Sequence, residues 1–181
     1  ETIPQTDAAS APSKTQDLLN AVKKQTGGMP NILATMAQSP AGRSGYLGVA
    51  GALAARNLSN VNRKQIALAV AGANVCDYCA SVHTGRGKGA GLSSDEMARN
   101  LIGRSSYPKT AALSGVAAKS FAYVADNGSS TRNAHHAGSD HEAGVETVAN
   151  ITLSIFTNYF NHIAGTENDL PLMRSRSALF V

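Results

Sequence analysis

The sequence predicts an all-α protein of one domain, and three observations carry that prediction. Apolar residues make up 43% of the chain, much of it alanine, while tryptophan is absent and aromatics reach only 5%. Such a core rests on close helix packing rather than on large side chains. Apolar residues recur with helical spacing in several stretches, whereas no stretch reads convincingly as a strand. A length of 181 residues suits a single hydrophobic core with only an arm or tail left over.

Residues 1–12 carry Pro4, Pro12 and small polar residues without an apolar period, which suits a flexible arm. Ser13 opens a helix: Gln16 stands where a capping box needs it, Leu18, Leu19 and Val22 form one apolar face, and Gly27 and Gly28 stop it. A short helix is expected over 31–38, ended by Ser39 and Pro40. From 41 to 55 small residues dominate, with Tyr46, Leu47, Val49, Ala50 and Leu53 at roughly helical spacing, so this helix can pack very closely. After a polar link over 57–62, RKQIALAVAGAN reads as a helix with Ile66, Ala69, Val70 and Ala73 turned inward, and Gly72 and Asn74 mark an end or a kink.

Asn74 is the expected N-cap of the next helix, with Asp77 in its first turn, so that Cys76 falls in the first turn and Cys79 in the second. The run GRGKGAG is expected to close that helix, and Ser93 with Glu96 forms a capping box for a helix to about residue 102. Residues 108–125 form another helix by period, through Ala111, Ala112, Val116, Phe121 and Val124, with Pro108 in its first turn. The segment 127–139 is polar. Ser139 with Glu142 then opens a long helix carrying Val145, Val148, Ile151, Ile155, Phe156, Tyr159, Phe160 and Ile163, which ends at Gly165. The domain therefore spans 13–165, and 166–181 form an extension packed on the surface or on a neighbouring subunit.

Sixteen Lys plus Arg against twelve Asp plus Glu give a net charge of +4, scattered rather than gathered with aromatics, which argues against nucleic-acid binding. No stretch approaches the roughly 18–20 apolar residues that cross a bilayer, so a soluble protein with no membrane partner is expected. The start ETIPQTDAASAPSK shows no intact signal peptide, although a mature form already trimmed of one would look the same. Cys76 and Cys79, the only cysteines, do not make a secreted disulfide framework. A close pair in an otherwise cysteine-free chain points to redox or metal chemistry in the cytoplasm.

The run NVCDYCASVHTGRGKGAGL holds that pair with His83 following. On one helix Cys79 lies about 60° from Cys76 and His83 within about 20° of it, so all three share a face. A free thiol of pKa ~8.5 is only about 3% ionised at pH 7, and a helix N-terminus or a nearby histidine lowers that pKa. A drop of about two units leaves roughly three quarters as the nucleophilic thiolate. The second cysteine can then capture a sulfenic acid as a disulfide. Two plainer readings compete: buried cysteines acting as small hydrophobes, and half of a zinc site completed by His83 and one of His135, His136, His141 or His162, for which a second CxxC or CxxH is lacking. The helical background argues against thioredoxin.

The run CDYCASVHTGRGKGAGLSSDE resembles the CxxCxxxH core of the AhpD-like alkylhydroperoxidases of the carboxymuconolactone decarboxylase superfamily. LLNAVKKQTGGMPNILATMAQSP, NRKQIALAVAGANVCDYC and IFTNYFNHIAGTENDLP resemble further segments, so the likeness covers roughly residues 13–172. It implies a fold of packed helix pairs, assembled as trimers or hexamers, and an antioxidant enzyme that reduces hydroperoxides. By this resemblance Cys79 is the peroxidatic thiol, Cys76 the resolving one, and His83 helps to take the proton from Cys79. Electrons return from a dithiol reductant, a lipoyl or thioredoxin-like protein, and no cofactor or metal is implied.

Family members usually carry a glutamate twelve residues before the first cysteine, in a proton relay with the histidine; here that position is Lys64. A charged lysine favours a thiolate nearby but cannot accept a proton, and Gln65 cannot serve as the base. Lys64 reads equally well as a solvated residue in its helix's first turn. If the missing carboxylate limits the protein, Lys64→Glu raises peroxide turnover. This departure sustains a second function, a non-catalytic redox sensor of the same fold. The carboxymuconolactone decarboxylase activity needs no cysteine pair and is disfavoured by the motif. His162 reads as packed against, or hydrogen-bonded within, a core or subunit contact. His135, His136 and His141 read as an exposed loop with incidental metal affinity, and Tyr78 as a lining of the thiol pocket or a core residue.

Overall fold

The computed structural model describes residues 2–6, 29–54, 57–107 and 141–175, with Gln16, Asn20 and Lys23 also placed in helix. The expected helices over 13–26 and 108–125, with His135 and His136, lie wholly or largely outside the described residues. Those described form helices and connections without a strand. They are α1 (Asn31–Met36), α2 (Pro40–Leu53), α3 (Asn60–Ala73), α4 (Asp77–Gly89), α5 (Ser94–Leu101) and α6 (His141–Ala164).

Helix α3 is the axle of the fold, packed against α4, α5 and α6. It begins three residues earlier than the apolar period indicated, because Ser59 caps it by accepting from the Asn62 N–H at 3.1 Å. Every residue from Gln65 to Gly72 is buried. Ile66, Leu68 and Val70 are almost completely so, each contributing roughly 1.5–3 kcal/mol. Gly72 is no kink. A Cβ there would lie 1.7 Å from the Leu101 carbonyl oxygen, so the glycine lets α3 and the end of α5 touch through their backbones.

Two polar clamps tie the connections to this axle. Glu146 of α6 accepts from the N–H groups of Asn57 and Leu58, at 3.3 and 3.0 Å. Glu96, buried in α5, accepts from Gln65 and Asn100 at 2.9 Å and from the Ser106 N–H at 2.9 Å. Its backbone N–H also donates to the Ser93 cap.

Helix α6 overturns a simple reading of its apolar residues. Val145, Val148 and Ile163 are 71%, 57% and 75% exposed. Glu146, Thr147, Asn150, Ser154, Thr157, Asn158 and Asn161 are buried instead. The inward face thus carries a polar stripe at helical period beside the core residue Ile151, while Val145, Val148 and Ile163 point outward. Several of its side chains bond back to their own helix, as Ser154 does to Asn150. Helix α2 likewise buries only Arg43.

Candidate functional site

The turn between α3 and α4 places the two thiols. Asn74 is the C-cap of α3, not the N-cap of α4 as its side chain had indicated. Val75 follows with φ of 53°, and two reverse bonds close the turn, Val75 N–H to Gly72 O at 3.3 Å and Cys76 N–H to Ala71 O at 3.0 Å. That pair of bonds is the usual αL termination of a helix. A β-branched residue held there is strained. Because the turn consumes Asn74 and Val75, Cys76 itself becomes the N-cap of α4, and its Sγ accepts from the Cys79 N–H at 3.3 Å. Cys79 accordingly lies in the first helical turn.

Helix α4 also runs further than expected. Gly85, Gly87 and Gly89 are helical, and the stop is Gly91 at φ of 91°. Gly87 serves packing, since a Cβ there would approach Met97 Sδ to 2.9 Å.

Both thiols are buried, Cys76 at 2% exposure and Cys79 at 3%. Asn161, from the polar stripe of α6, donates its Nδ2–H to Cys79 Sγ at 3.2 Å and lies 4.0 Å from Cys76 Sγ. Sequence reading missed Asn161, yet the spacing of Asn150, Ser154, Thr157 and Asn161 on one face of an otherwise apolar helix was a usable sign. His162 is exposed, and its Nε2 is hydrogen-bonded with the Asn74 carbonyl at 2.8 Å.

The pair shares a hydrogen bond and ionises as a unit. The Cys76 thiol is brought down to about 7 by its hydrogen bond with Cys79, against the opposing effect of burial, with help from the Cys79 N–H, the charge of His162 and Asn161. Cys79 is pushed up by the same hydrogen bond, by burial and by the charge of Cys76. The two shifts describe one shared proton: the first leaves easily and the second is held. The easier thiolate is therefore on Cys76, at the helix N-cap.

Cys79, and not Cys76, lines a cavity of about 820 Å³. Val82, His83 and Arg86 continue its wall along α4, Ile32 and Tyr46 come from α1 and α2, and Thr157 from α6. Tyr78 is both core and lining: it is buried in the α1–α4 cluster, and its hydroxyl accepts from the Ile32 N–H at 3.3 Å. Residues 169–173 close one side. That strap is anchored on α4, where Ser81 Oγ accepts from the Met173 N–H at 2.8 Å and Asn168 Nδ2 at 3.0 Å. Asp77 accepts from Arg174 at 2.8 Å and from the Ser175 N–H and hydroxyl at 2.8 and 2.7 Å. Burial alone would raise the Asp77 carboxyl, but the Ser175 and Arg174 bonds win and hold it below its usual range.

His83 stands one turn beyond Cys79 on the cavity wall, with its Nδ1 buried and unpartnered. Burial, Lys64 and Arg86 hold its pKa well below the usual value, so the ring is neutral near pH 7. Lys64 is not a solvated residue: it is half-buried and acts electrostatically on His83. Burial, Arg86 and Arg63 bring it down to about 8. About half of it is then uncharged at pH 8, able to accept a proton. Among the described residues no three His, Cys, Asp or Glu side chains gather as a metal site, and His141 opens α6 as an exposed residue.

Residues 40–121 match the carboxymuconolactone decarboxylase family, a span that holds Lys64, Cys76, Cys79 and His83. The fold superposes on an alkylhydroperoxidase AhpD core structure, an uncharacterized peroxidase-related protein from Ralstonia eutropha JMP134, with a TM-score of 0.80. The chain has an AhpD-like fold, and its residues 40–121 carry the carboxymuconolactone decarboxylase family match. That first likeness has 21% identity and covers 92% of this AhpD-like chain and 90% of the other. The debrominase Bmp8, in complex with 2,3,4-tribromopyrrole, is similar at a TM-score of 0.77 and 17% identity, covering 92% and 91%. A peroxidase-related protein from Silicibacter sp. TM1040 gives 0.74 and 17%, covering 97% and 96%. No curated protein is similar to the chain in sequence. No described helix is long and apolar enough to cross a membrane.

Proposed function

We propose that this AhpD-like chain is a thiol-dependent peroxidase that reduces organic hydroperoxides through Cys79 and Cys76. The observation that carries the reading is a buried Cys79 in the wall of an 820 Å³ cavity, with a second thiol hydrogen-bonded to it. Cys79 passes its proton to the Cys76 thiolate across that bond, or to neutral His83 when both thiols are protonated. The Cys79 thiolate attacks the outer peroxide oxygen, the O–O bond breaks, and the alkoxide leaves and takes up a proton to become the alcohol. Cys79 is then a sulfenic acid. Cys76 displaces its hydroxyl as water, forming the Cys76–Cys79 disulfide. A dithiol, lipoyl or thioredoxin-like, returns two electrons by exchange.

The exposed side of α6 supports a homo-oligomer, a trimer or hexamer, because Val145, Val148, Phe156, Tyr159 and Ile163 are large apolar or aromatic residues left exposed along its length. A second reading, a redox switch that forms the disulfide without sustained turnover, draws on Lys64 standing where a glutamate is expected. Dimedone trapping tests the attacking sulfur: Cys76→Ser treated with one equivalent of cumene hydroperoxide should carry a single adduct on Cys79. An unmodified Cys79 contradicts the assignment.

A further inference from the structure

The charges around the neutral His83 at one end of the cavity are all of one sign. Arg86 and Lys88 of α4 line that end beside His83, and Lys64 of α3, outside the lining, acts electrostatically on His83. The charged groups acting on Lys64 are Arg86 and Arg63, and those acting on His83 are Lys64 and Arg86. None is a carboxylate. The one acidic residue in the lining, Asp169, is engaged elsewhere: its Oδ2 accepts from the Asn31 N–H at 3.0 Å, and it faces the Tyr78 hydroxyl. Arg86 and Tyr46 both line the cavity, and the charge of Arg86 opposes the effect of burial on the Tyr46 hydroxyl. The remaining wall is greasy, with Ile32, Leu33, Val82, Leu153, Leu172 and Met173.

Arg86 and Lys88 are exposed and Lys64 is half-buried; uncompensated like charges around a partly buried cation raise the free energy of the empty protein, and a bound anion offsets that cost. A guanidinium beside an ammonium suits a carboxylate, which the planar fork can grip with two hydrogen bonds. Arg86 lies seven residues beyond Cys79, two helical turns on the same face, which separates them by about 10 Å along the axis. We propose that the cavity selects hydroperoxides that carry a carboxylate, amphiphilic hydroperoxy acids whose carboxylate sits on Arg86 within the field of Lys64 while the apolar chain brings the peroxide to Cys79. The proposal rests on the peroxidase reading for its reaction but not for its binding.

Binding alone tests it. Isothermal titration of the reduced protein with decanoate, decanol and inorganic phosphate should give decanoate at least tenfold tighter than decanol and tighter than phosphate. The advantage should fall as salt rises. Arg86→Met combined with Lys64→Met should abolish the preference while leaving decanol binding and the helical circular dichroism unchanged. Equal binding of decanoate and decanol, phosphate as tight as decanoate, no binding of decanoate, or a preference that survives the double variant overturns the proposal. Decanoate preference without peroxide turnover keeps the anion subsite and removes the peroxidase reading. Turnover of cumene hydroperoxide without decanoate preference does the reverse.

Discussion

Cys76 and Cys79 differ by three positions in sequence but hold different places in the helix. One is the cap that receives an N–H, and the other is the cavity wall. Iodoacetamide labelling of the reduced protein should therefore rise through about pH 7, where Cys76 ionises. In Cys76→Ser this step should disappear; a midpoint near 7 retained in that variant contradicts the assignment. Lys64 gives a second residue-scale test. Its pKa is depressed from 10.5 to about 8, so the folded state binds its proton less tightly than the unfolded chain. The resulting penalty is full below about pH 8 and fades as pH approaches 10.5. Discounted for partial exposure, Lys64→Met should gain about 1–2 kcal/mol at pH 7 and far less at pH 10, measured by urea unfolding. Lys64→Glu should raise turnover of neutral hydroperoxides, because a carboxylate would accept protons at neutral pH. An unchanged or lower rate contradicts a role for the missing carboxylate. The CxxCxxxH spacing made the cysteines and His83 legible in sequence, whereas the surroundings of Lys64 depend on Arg86 one helix away and were not.

At the scale of elements, caps were readable where a side chain caps locally, as Ser93 does for α5 with the Glu96 N–H at 3.2 Å. The boundary before α4 was not, because Val75 at positive φ is a residue that sequence preference would never place there. Gly72 was read as an end or a kink for the same reason: its cause is the Leu101 carbonyl of another helix. Gly72→Ala should push α3 and α5 apart and cost about 1–3 kcal/mol in urea unfolding, and a neutral effect contradicts the close approach. In α6 the aliphatic period was visible, but which face turns inward was decided by the thiols, the 57–58 link and Asn74, all distant in sequence. Polar groups such as Asn161 and Asn158 meet partners there, the buried Cys79 and the half-buried Asn74 side chain. Val145, Val148 and Ile163 are left outside.

For the whole molecule, composition together with helical spacing points to a helical protein of close contacts, and the family match and fold agree with the resemblance carried by the CDYCASVH run. What composition could not reveal was the strap over 166–175, whose polar residues are spent on Asp77 and Ser81. The exposed face of α6 makes a prediction about assembly: light scattering after gel filtration should show an oligomer, and Val148→Lys with Ile163→Glu should shift it to smaller species. A monomeric parent protein contradicts the assignment of that face to assembly. The central claim is that Cys79 in the cavity wall reduces peroxide in cycles closed by Cys76. Its most direct test is steady-state reduction of cumene hydroperoxide with dihydrolipoamide or dithiothreitol as reductant, run beside Cys79→Ser. Many turnovers per chain, lost in Cys79→Ser, are expected. A parent protein that forms one disulfide per chain and stops, or a Cys79→Ser variant that keeps the parent rate, contradicts it.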